Sequence, residues 1–246
     1  MDTKRRGYQR VLLKISGEVL VGGREFGIDP AEVESIAHAI KELRTHSIQV
    51  AVVIGGGNFI RGAEESARGM DRAVADYMGM LATLLNGMAL QDGVEKLGMD
   101  SRLCSALNIP EVCESYIRRK CLSHFEKGRV VILAGGTGNP YFTTDTAAAL
   151  RGAELGVDAI LKGTKVDGIY DRDPVKHKDS KRFDRLSYMD YLRGQYKVMD
   201  QTAVTLCQEN NLPIVVFNLH DKANILKAAL GEPVGTLVGK EAGDGH

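Results

Sequence analysis

The chain has 246 residues, 43% apolar and 26% charged, with 32 Lys and Arg balanced by 32 Asp and Glu. A formal charge of zero gives no chain-wide attraction for nucleic acid or an anionic membrane, and this composition excludes a disordered, coiled-coil or collagen-like chain. At this length folding buries roughly 70–75% of the unfolded surface, so no disulfide or metal staple is required.

Near the N-terminus Lys4, Arg5, Arg6 and Arg10 precede an apolar run that stops at Lys14, too short for a signal-peptide core. Within it Val11–Leu13 reads as a buried strand. Asp29 is placed to cap a helix with Pro30 at its first position and Glu32 completing a capping box, and Val33, Ile36, Ala37, Ile40 and Leu43 supply its apolar face. Val50–Ile54 is the second strand and the longest aliphatic stretch, far below the roughly 20 residues that cross a bilayer. The spacing of Val74, Tyr77, Met78, Leu81, Leu85 and Met88 predicts the apolar face of a long helix over Asp71–Leu97. Cys104, Cys113, Cys121 and Cys207 show no C-x-x-C pair and no adjacent histidine cluster, so they read as reduced thiols rather than a zinc or disulfide framework. Val130–Leu133, Ala159–Leu161 and Ile214–Phe217 are the remaining predicted strands, with a helical run over Ala147–Leu155. Tyr170–Ser187, dense in Asp, Lys and Arg around Pro174, reads as a solvated loop, either a connector or a lid over a charged ligand.

These runs lack strict polar alternation, which suits a sheet covered on both faces. The expected fold is α/β, a three-layer αβα sandwich with a mainly parallel central sheet. It is read as one domain over residues 8–239, with disordered termini at 1–7 and 240–246. A cytoplasmic location is expected, with no nucleic-acid or membrane partner.

Glycine is enriched, at 28 residues, and the first four strands each lead straight into glycine with a polar or charged neighbour. The four segments are Lys14-Ile15-Ser16-Gly17, Gly55-Gly56-Gly57-Asn58, Gly135-Gly136-Thr137-Gly138-Asn139 and Lys162-Gly163-Thr164-Lys165. In a parallel sheet such loops gather along one edge, where ligands bind, and successive unshielded N–H groups suit an anion. Thr143, Thr144 and Asp145 lead into the Ala147–Leu155 helix, whose N-terminus adds donors, although either threonine also reads as a plain cap. Lys14 and Arg61 read as phosphate-binding charges, with a solvated charge as the alternative for either. Asp76 fits either a solvated helix face or a carboxylate accepting from ribose hydroxyls. No P-loop, dinucleotide fingerprint or protein-kinase motif is present, which disfavours those enzymes.

Taken together, Leu13–Glu18, Val53–Asn58, Ile60–Gly62, Asp76–Thr83, Gly136–Asp145 and Thr164–Gly168 closely resemble the bacterial UMP kinase family, within the amino acid kinase superfamily, over about Tyr8–Val238. The resemblance implies transfer of the ATP γ-phosphoryl group to UMP with Mg²⁺, giving UDP and ADP for pyrimidine biosynthesis. It implies catalytic roles for Lys14, Arg61, Asp145 and Asp200. ATP contacts would come from Lys14, Ile15, Ser16, Gly17, Gly57, Arg61, Thr164, Tyr170 and Asp173. UMP contacts would come from Gly56, Arg61, Asp76, Thr137, Gly138, Asn139, Pro140, Tyr141, Phe142, Thr143 and Thr144. A homohexamer, activated by GTP and inhibited by UTP, is also implied. Gly23, Arg24 and Glu25 depart from the family's pattern in the GTP-related segment Gly22–Gly27, where a surface turn is the alternative. The competing functions are another acceptor within the superfamily, which Asp76 and the Gly136–Asp145 block disfavour, and a uridine-nucleotide-binding regulator, which the joint presence of Lys14, Asp145 and Asp200 disfavours.

Overall fold

The computed structural model describes residues 7–60, 68–174 and 176–240. Its strands, in chain order, are β1 (Arg10–Ile15), β2 (Gln49–Ile54), β3 (Ser101–Ser105), β4 (Glu114–Ser115), β5 (Val130–Ala134), β6 (Ala159–Thr164), β7 (Ile169–Tyr170), β8 (Arg182–Phe183), β9 (Arg185–Ser187), β10 (Ile214–Asn218) and β11 (Thr236–Gly239). The helices are α1 (Pro30–Thr45), α2 (Arg72–Lys96), α3 (Arg118–Glu126), α4 (Thr144–Leu155), α5 (Tyr188–Arg193), α6 (Gln201–Glu209) and α7 (Ala223–Ala229), with a 3₁₀ turn at Gly17–Val21. Nine strands form one sheet in the order β4-β3-β5-β2-β1-β6-β10-β11-β9, parallel throughout except where β11 runs against β10.

Alternation along β1 divides the core. Val11, Leu13 and Ile15 enter the layer shared with α1, α2 and α7, while Leu12 joins the layer under α3 to α6. Both faces are covered, as the predicted three-layer sandwich requires, and the five predicted strands are all present.

Helix α1 behaves as its periodicity predicts: Ile36, Ala37, Ile40 and Leu43 are fully buried, and the Asp29 carboxylate accepts from Ala31 N. The capping box does not form. The Asp29 N–H donates to Leu20 O at 2.6 Å, and Glu32 instead meets Lys222 at 3.2 Å, so tertiary partners take both groups.

Helix α2 reverses the expectation. Its predicted apolar face, Val74, Tyr77, Met78, Leu81, Leu85 and Met88, is 42–52% exposed. The buried side carries Ala75, Leu84, Leu90 and Val94 together with Thr83 and Asn86. Its 25 residues are long and apolar enough to cross a bilayer, yet Leu84, Leu90 and Val94 pack into the core.

Tyr170–Ser187 is a solvated loop only between β7 and β8, and both its ends are strands. Ile169 pairs with Phe183 and Tyr170 with Arg182 in an antiparallel ribbon, and β9 adds to β11 at the sheet edge. Its charges largely satisfy one another, Arg172 with Asp179 at 3.1 Å and Arg182 with Asp167 at 3.1 Å. Of the termini expected to be disordered, Gly7 and Lys240 are placed, and residues 1–6 and 241–246 lie outside the described residues.

Candidate active site

Strands β5, β2, β1 and β6 are consecutive in the sheet and parallel, so the four glycine segments lie along one edge, at the strands' carboxyl ends. Two of these glycines allow the loops to touch. A Cβ on Gly17 would sit 2.5 Å from Gly55 O and from the Asn58 amide oxygen, and one on Gly56 would sit 2.5 Å from Gly79 O.

Lys14 follows Leu12 onto the α4 side of the sheet, and the parallel register sets it directly opposite Lys162 of β6. Asp145, in the first turn of α4, ion-pairs with both: its carboxylate is 2.7 Å from Lys14 Nζ and accepts a short hydrogen bond from Lys162 Nζ. The three side chains are only 7–13% exposed. Burial acts most strongly on Asp145 and pushes its pKa up, but the charges of Lys14 and Lys162 outweigh it and hold the group at about 2. Lys162 is brought down to about 8, first by burial and then by repulsion from Lys14, against the opposing pull of Asp145. Two ammonium groups share the Asp145 carboxylate, with the Asp200 charge also acting on Lys162, so two buried cations stand where an anion could meet them. Lys162 is missing from the expected site residues. Its signal is the repeat of Leu-Lys at a strand end, Leu13-Lys14 and Leu161-Lys162.

Asp200, just before α6, is brought to the same place. It caps Ala203 N at 2.7 Å, accepts from Thr146 Oγ1 at 3.0 Å, and accepts a short hydrogen bond from Thr143 Oγ1. Thr143 is also the cap of α4, accepting from Asp145 N at 3.0 Å.

The buried polar residues of α2 fasten two of the loops, a role the sequence reading did not foresee. Asn86 and Asn58 exchange amide hydrogen bonds of 2.7 and 2.8 Å, and Asn86 also donates to Gly55 O at 2.6 Å. Thr83 Oγ1 accepts from Gly135 N at 2.8 Å. An asparagine inside an apolar helix was the available signal, since a buried amide needs partners.

In the Gly136–Thr144 segment, Thr137 Oγ1 donates to Asn139 O and accepts from Asn139 N, closing a tight turn. Tyr141 takes a positive φ of 72°, and its N–H donates to Asp76 at 2.7 Å. Asp76 also accepts from Arg72 Nε at 2.8 Å and is 12% exposed, so the solvated reading fails and it anchors this segment. Tyr141 and Phe142 are 69% and 51% exposed. Thr164 Oγ1 donates to Val166 O, and Tyr170 donates to Asp167 at 2.6 Å. Asp173 faces Lys176 at 3.9 Å, within the β7–β8 ribbon. Arg61 lies outside the described residues.

Two clefts of about 560 Å³ open on these loops. One is lined by Glu18, Gly57, Asn58, Thr164, Lys165 and Lys222. The other is lined by Thr137, Asn139, Phe142 and Thr146 with Gln201 and Thr205 of α6. A buried cationic centre between glycine loops, with separate clefts on the two loop groups, marks an α/β enzyme that handles phosphate groups. The chain belongs to the amino acid kinase family, whose model matches residues 9–218. It is similar to the UMP kinase of Bacillus anthracis, with 36% identity over 96% of this chain and 98% of that one, at a TM-score of 0.93. The UMP kinase of Ureaplasma parvum matches at 37% identity over 96% and 100% of the two chains, TM-score 0.88. The uridylate kinase of Archaeoglobus fulgidus matches at 29% identity over 93% and 99%, TM-score 0.71.

Proposed function

We propose that this chain transfers the γ-phosphoryl group of ATP to UMP, giving UDP and ADP for pyrimidine nucleotide biosynthesis in the cytoplasm, as one domain over residues 8–239. The observation that carries the reading is the Lys14–Asp145–Lys162 centre, whose two buried ammonium groups sit where the glycine loops converge. An oxygen of the UMP phosphate attacks the γ-phosphorus, its bond to the ADP oxygen breaks, and ADP leaves. Such a transfer depends on alignment and charge neutralisation more than on a strong base.

Lys14 and Lys162 offset the repulsion between donor and acceptor phosphates, and Asp145 holds the two ammonium groups together. Asp200 positions Thr143 and Thr146. The Lys14–Gly17 loop, Gly57, Arg61, Thr164, Tyr170 and Asp173 hold ATP. Gly56, Arg61, Asp76 and Thr137–Thr144 hold UMP. Asp145 and Asp200 are the carboxylates near which Mg²⁺ would be held, with ATP, and it would supply charge neutralisation for the phosphates; Asp145 Oδ1, buried without a hydrogen bond, is an oxygen open to it.

The homohexamer belongs to the same proposal. The outward stripe of α2 supports it, since monomeric proteins rarely expose large contiguous apolar patches. Leu81→Glu is expected to lower the sedimenting mass while the chain stays folded. Control by GTP and UTP is proposed likewise and is read by adding each nucleotide to the assay below.

The deciding experiment is ATP-dependent phosphorylation of UMP, CMP, dUMP, GMP, carbamate and acetylglutamate in the presence of Mg²⁺. Preferential formation of UDP is expected. Preference for a non-nucleotide acceptor, or UMP binding without turnover, would reject the reading.

A further inference from the structure

At the β4–β3 edge of the sheet, next to the strand that carries the third glycine loop, residues scattered over twenty-one positions of sequence converge. Cys104 of β3 and Glu114 of β4 are register partners on adjacent strands. Helix α3 lies across them and contributes Cys121 and His124, three residues apart and so on one helix face. Donor atoms of Cys104, Glu114 and His124 all lie within 4.8 Å of one another, and His124 Nε2 is 3.2 Å from Glu114 Oε2. The Cys121 thiol neighbours that of Cys104 and is the next donor outward from these three. Cys104, Cys121 and His124 are buried and Glu114 is half-buried, leaving an approach past the carboxylate.

We propose that Cys104, Cys121, His124 and Glu114 form a tetrahedral site for a thiolate-preferring divalent metal ion, zinc in particular. Two sulfurs, one imidazole and one carboxylate are a zinc donor set, whereas Mg²⁺ and Ca²⁺ select oxygen. Zinc bonds of roughly 2.0–2.3 Å set tetrahedral donors roughly 3.3–3.8 Å apart, so closing the site draws Cys104, Glu114 and His124 together by about 1 Å and brings Cys121 further inward. Both thiols lose their protons on binding. Two thiolates, one carboxylate and the ion then sum to one negative charge. Arg102, 3.6 Å from Glu114 Oε1, compensates it. Coordination through Nε2 leaves the His124 proton on Nδ1, where Arg129 now stands at 3.3 Å. Arg129 would turn toward Asp100, whose carboxylate is 4.0 Å from its Nε, an atom buried without a hydrogen bond.

Such an ion would clamp an edge that the backbone holds weakly, because β4 joins β3 through only two register pairs. The clamp bears on the next residue, Ser105, which lies beneath Gly135: a Cβ on that glycine would be 2.9 Å from Ser105 Oγ.

The test uses the full-length, tag-free protein, chelator-stripped under a thiol-preserving reductant and titrated with Co²⁺ in excess Mg²⁺. We expect one Co²⁺ per chain, with sulfur-to-cobalt charge-transfer absorption and the visible bands of a tetrahedral ion, both bleached by Zn²⁺. Zn²⁺ should also raise Tm. Cys121→Ser and His124→Ala should each weaken binding at least tenfold, while Cys207→Ser, at a buried thiol elsewhere, should leave it unchanged. Absence of the charge-transfer band in folded, fully reduced wild-type protein would overturn the proposal, and this outcome does not depend on any variant folding. Persistence of the band in a folded Cys104→Ser, Cys121→Ser double variant would overturn it equally.

Discussion

The Lys14–Asp145–Lys162 centre and the Gly136–Thr144 segment adjoin along one sheet edge but are held in opposite ways. The centre is set by two paired strands and a helix start, its side chains nearly closed to water and locked by ion pairs. The segment hangs on the Thr137 turn and the Asp76 anchor, with the Tyr141 and Phe142 rings largely exposed. Charge that must meet a transferring phosphoryl group is fixed by burial and mutual pairing, where it needs no reorganisation during reaction. The exposed segment is fixed by local turns and a few hydrogen bonds, and its two rings keep room to adjust.

Removing the shared anion should break this contrast most severely. Asp145→Asn leaves two buried ammonium groups facing each other, and a loss of about 3–5 kcal/mol is expected in urea titration. A loss near zero would show that the lysines are effectively solvated and that the centre is no more rigid than the segment. Next in size, Lys14→Ala should reduce kcat by about 10²–10³-fold, as loss of one preorganised charge does elsewhere. Its UMP affinity by calorimetry should hold, and unchanged turnover would remove Lys14 from the reaction.

A pH series sharpens the contrast further. Lys162 in the folded protein titrates at about 8, below its ordinary 10.5, so between those values the unfolded chain binds more protons. Stability of the ligand-free protein should therefore rise from about pH 8 toward 10.5, while kcat/KM falls over the same range as the cation is lost. Lys162→Met should abolish the stability rise. Asp145, held at about 2 against an ordinary 3.8, makes its contribution above 3.8 and loses it as the pH drops toward 2. The smallest effect is expected in the segment. Asp76→Ala removes charge-assisted hydrogen bonds to Tyr141 N and Arg72, and KM for UMP should rise about tenfold with kcat nearly unchanged. A fall in kcat as large as that of Lys14→Ala would erase the distinction between the two regions.

Much of this edge was legible in the sequence because strand-then-glycine is a local pattern, and a parallel sheet adds its repeats into one site. Lys14 and Asp145 could be nominated that way and Asp200 through the family resemblance, and the structure brings them together. Lys162 stood in one of those segments but was not singled out, because a lysine closing a short apolar run looks ordinary until the register sets it opposite Lys14. Helix α2 was misread for a related reason. Its periodicity reported an apolar face but not whether this chain covers it, and the buried side instead mixes Leu84, Leu90 and Val94 with small residues, Thr83 and Asn86. The edge strands escaped because β4, β7, β8 and β9 span two or three residues each, too few to establish a period. The convergence of Cys104, Glu114, Cys121 and His124 was invisible for the same reason: it depends on the β3–β4 register and on the packing of α3.

Asn86 and Thr83 give α2 a mechanical meaning. One side of the helix is bolted at two points, to the loop after β2 through Asn58 and Gly55 and to the loop after β5 through Gly135, while the other side forms the outer surface. A rod fixed in this way transmits rotation instead of absorbing it: turning α2 about its axis would drag both loops or shear the amide pair and the threonine bond together. Force applied to Leu81 or Leu85 from outside has only the thickness of one helix to cross before it reaches the glycine edge.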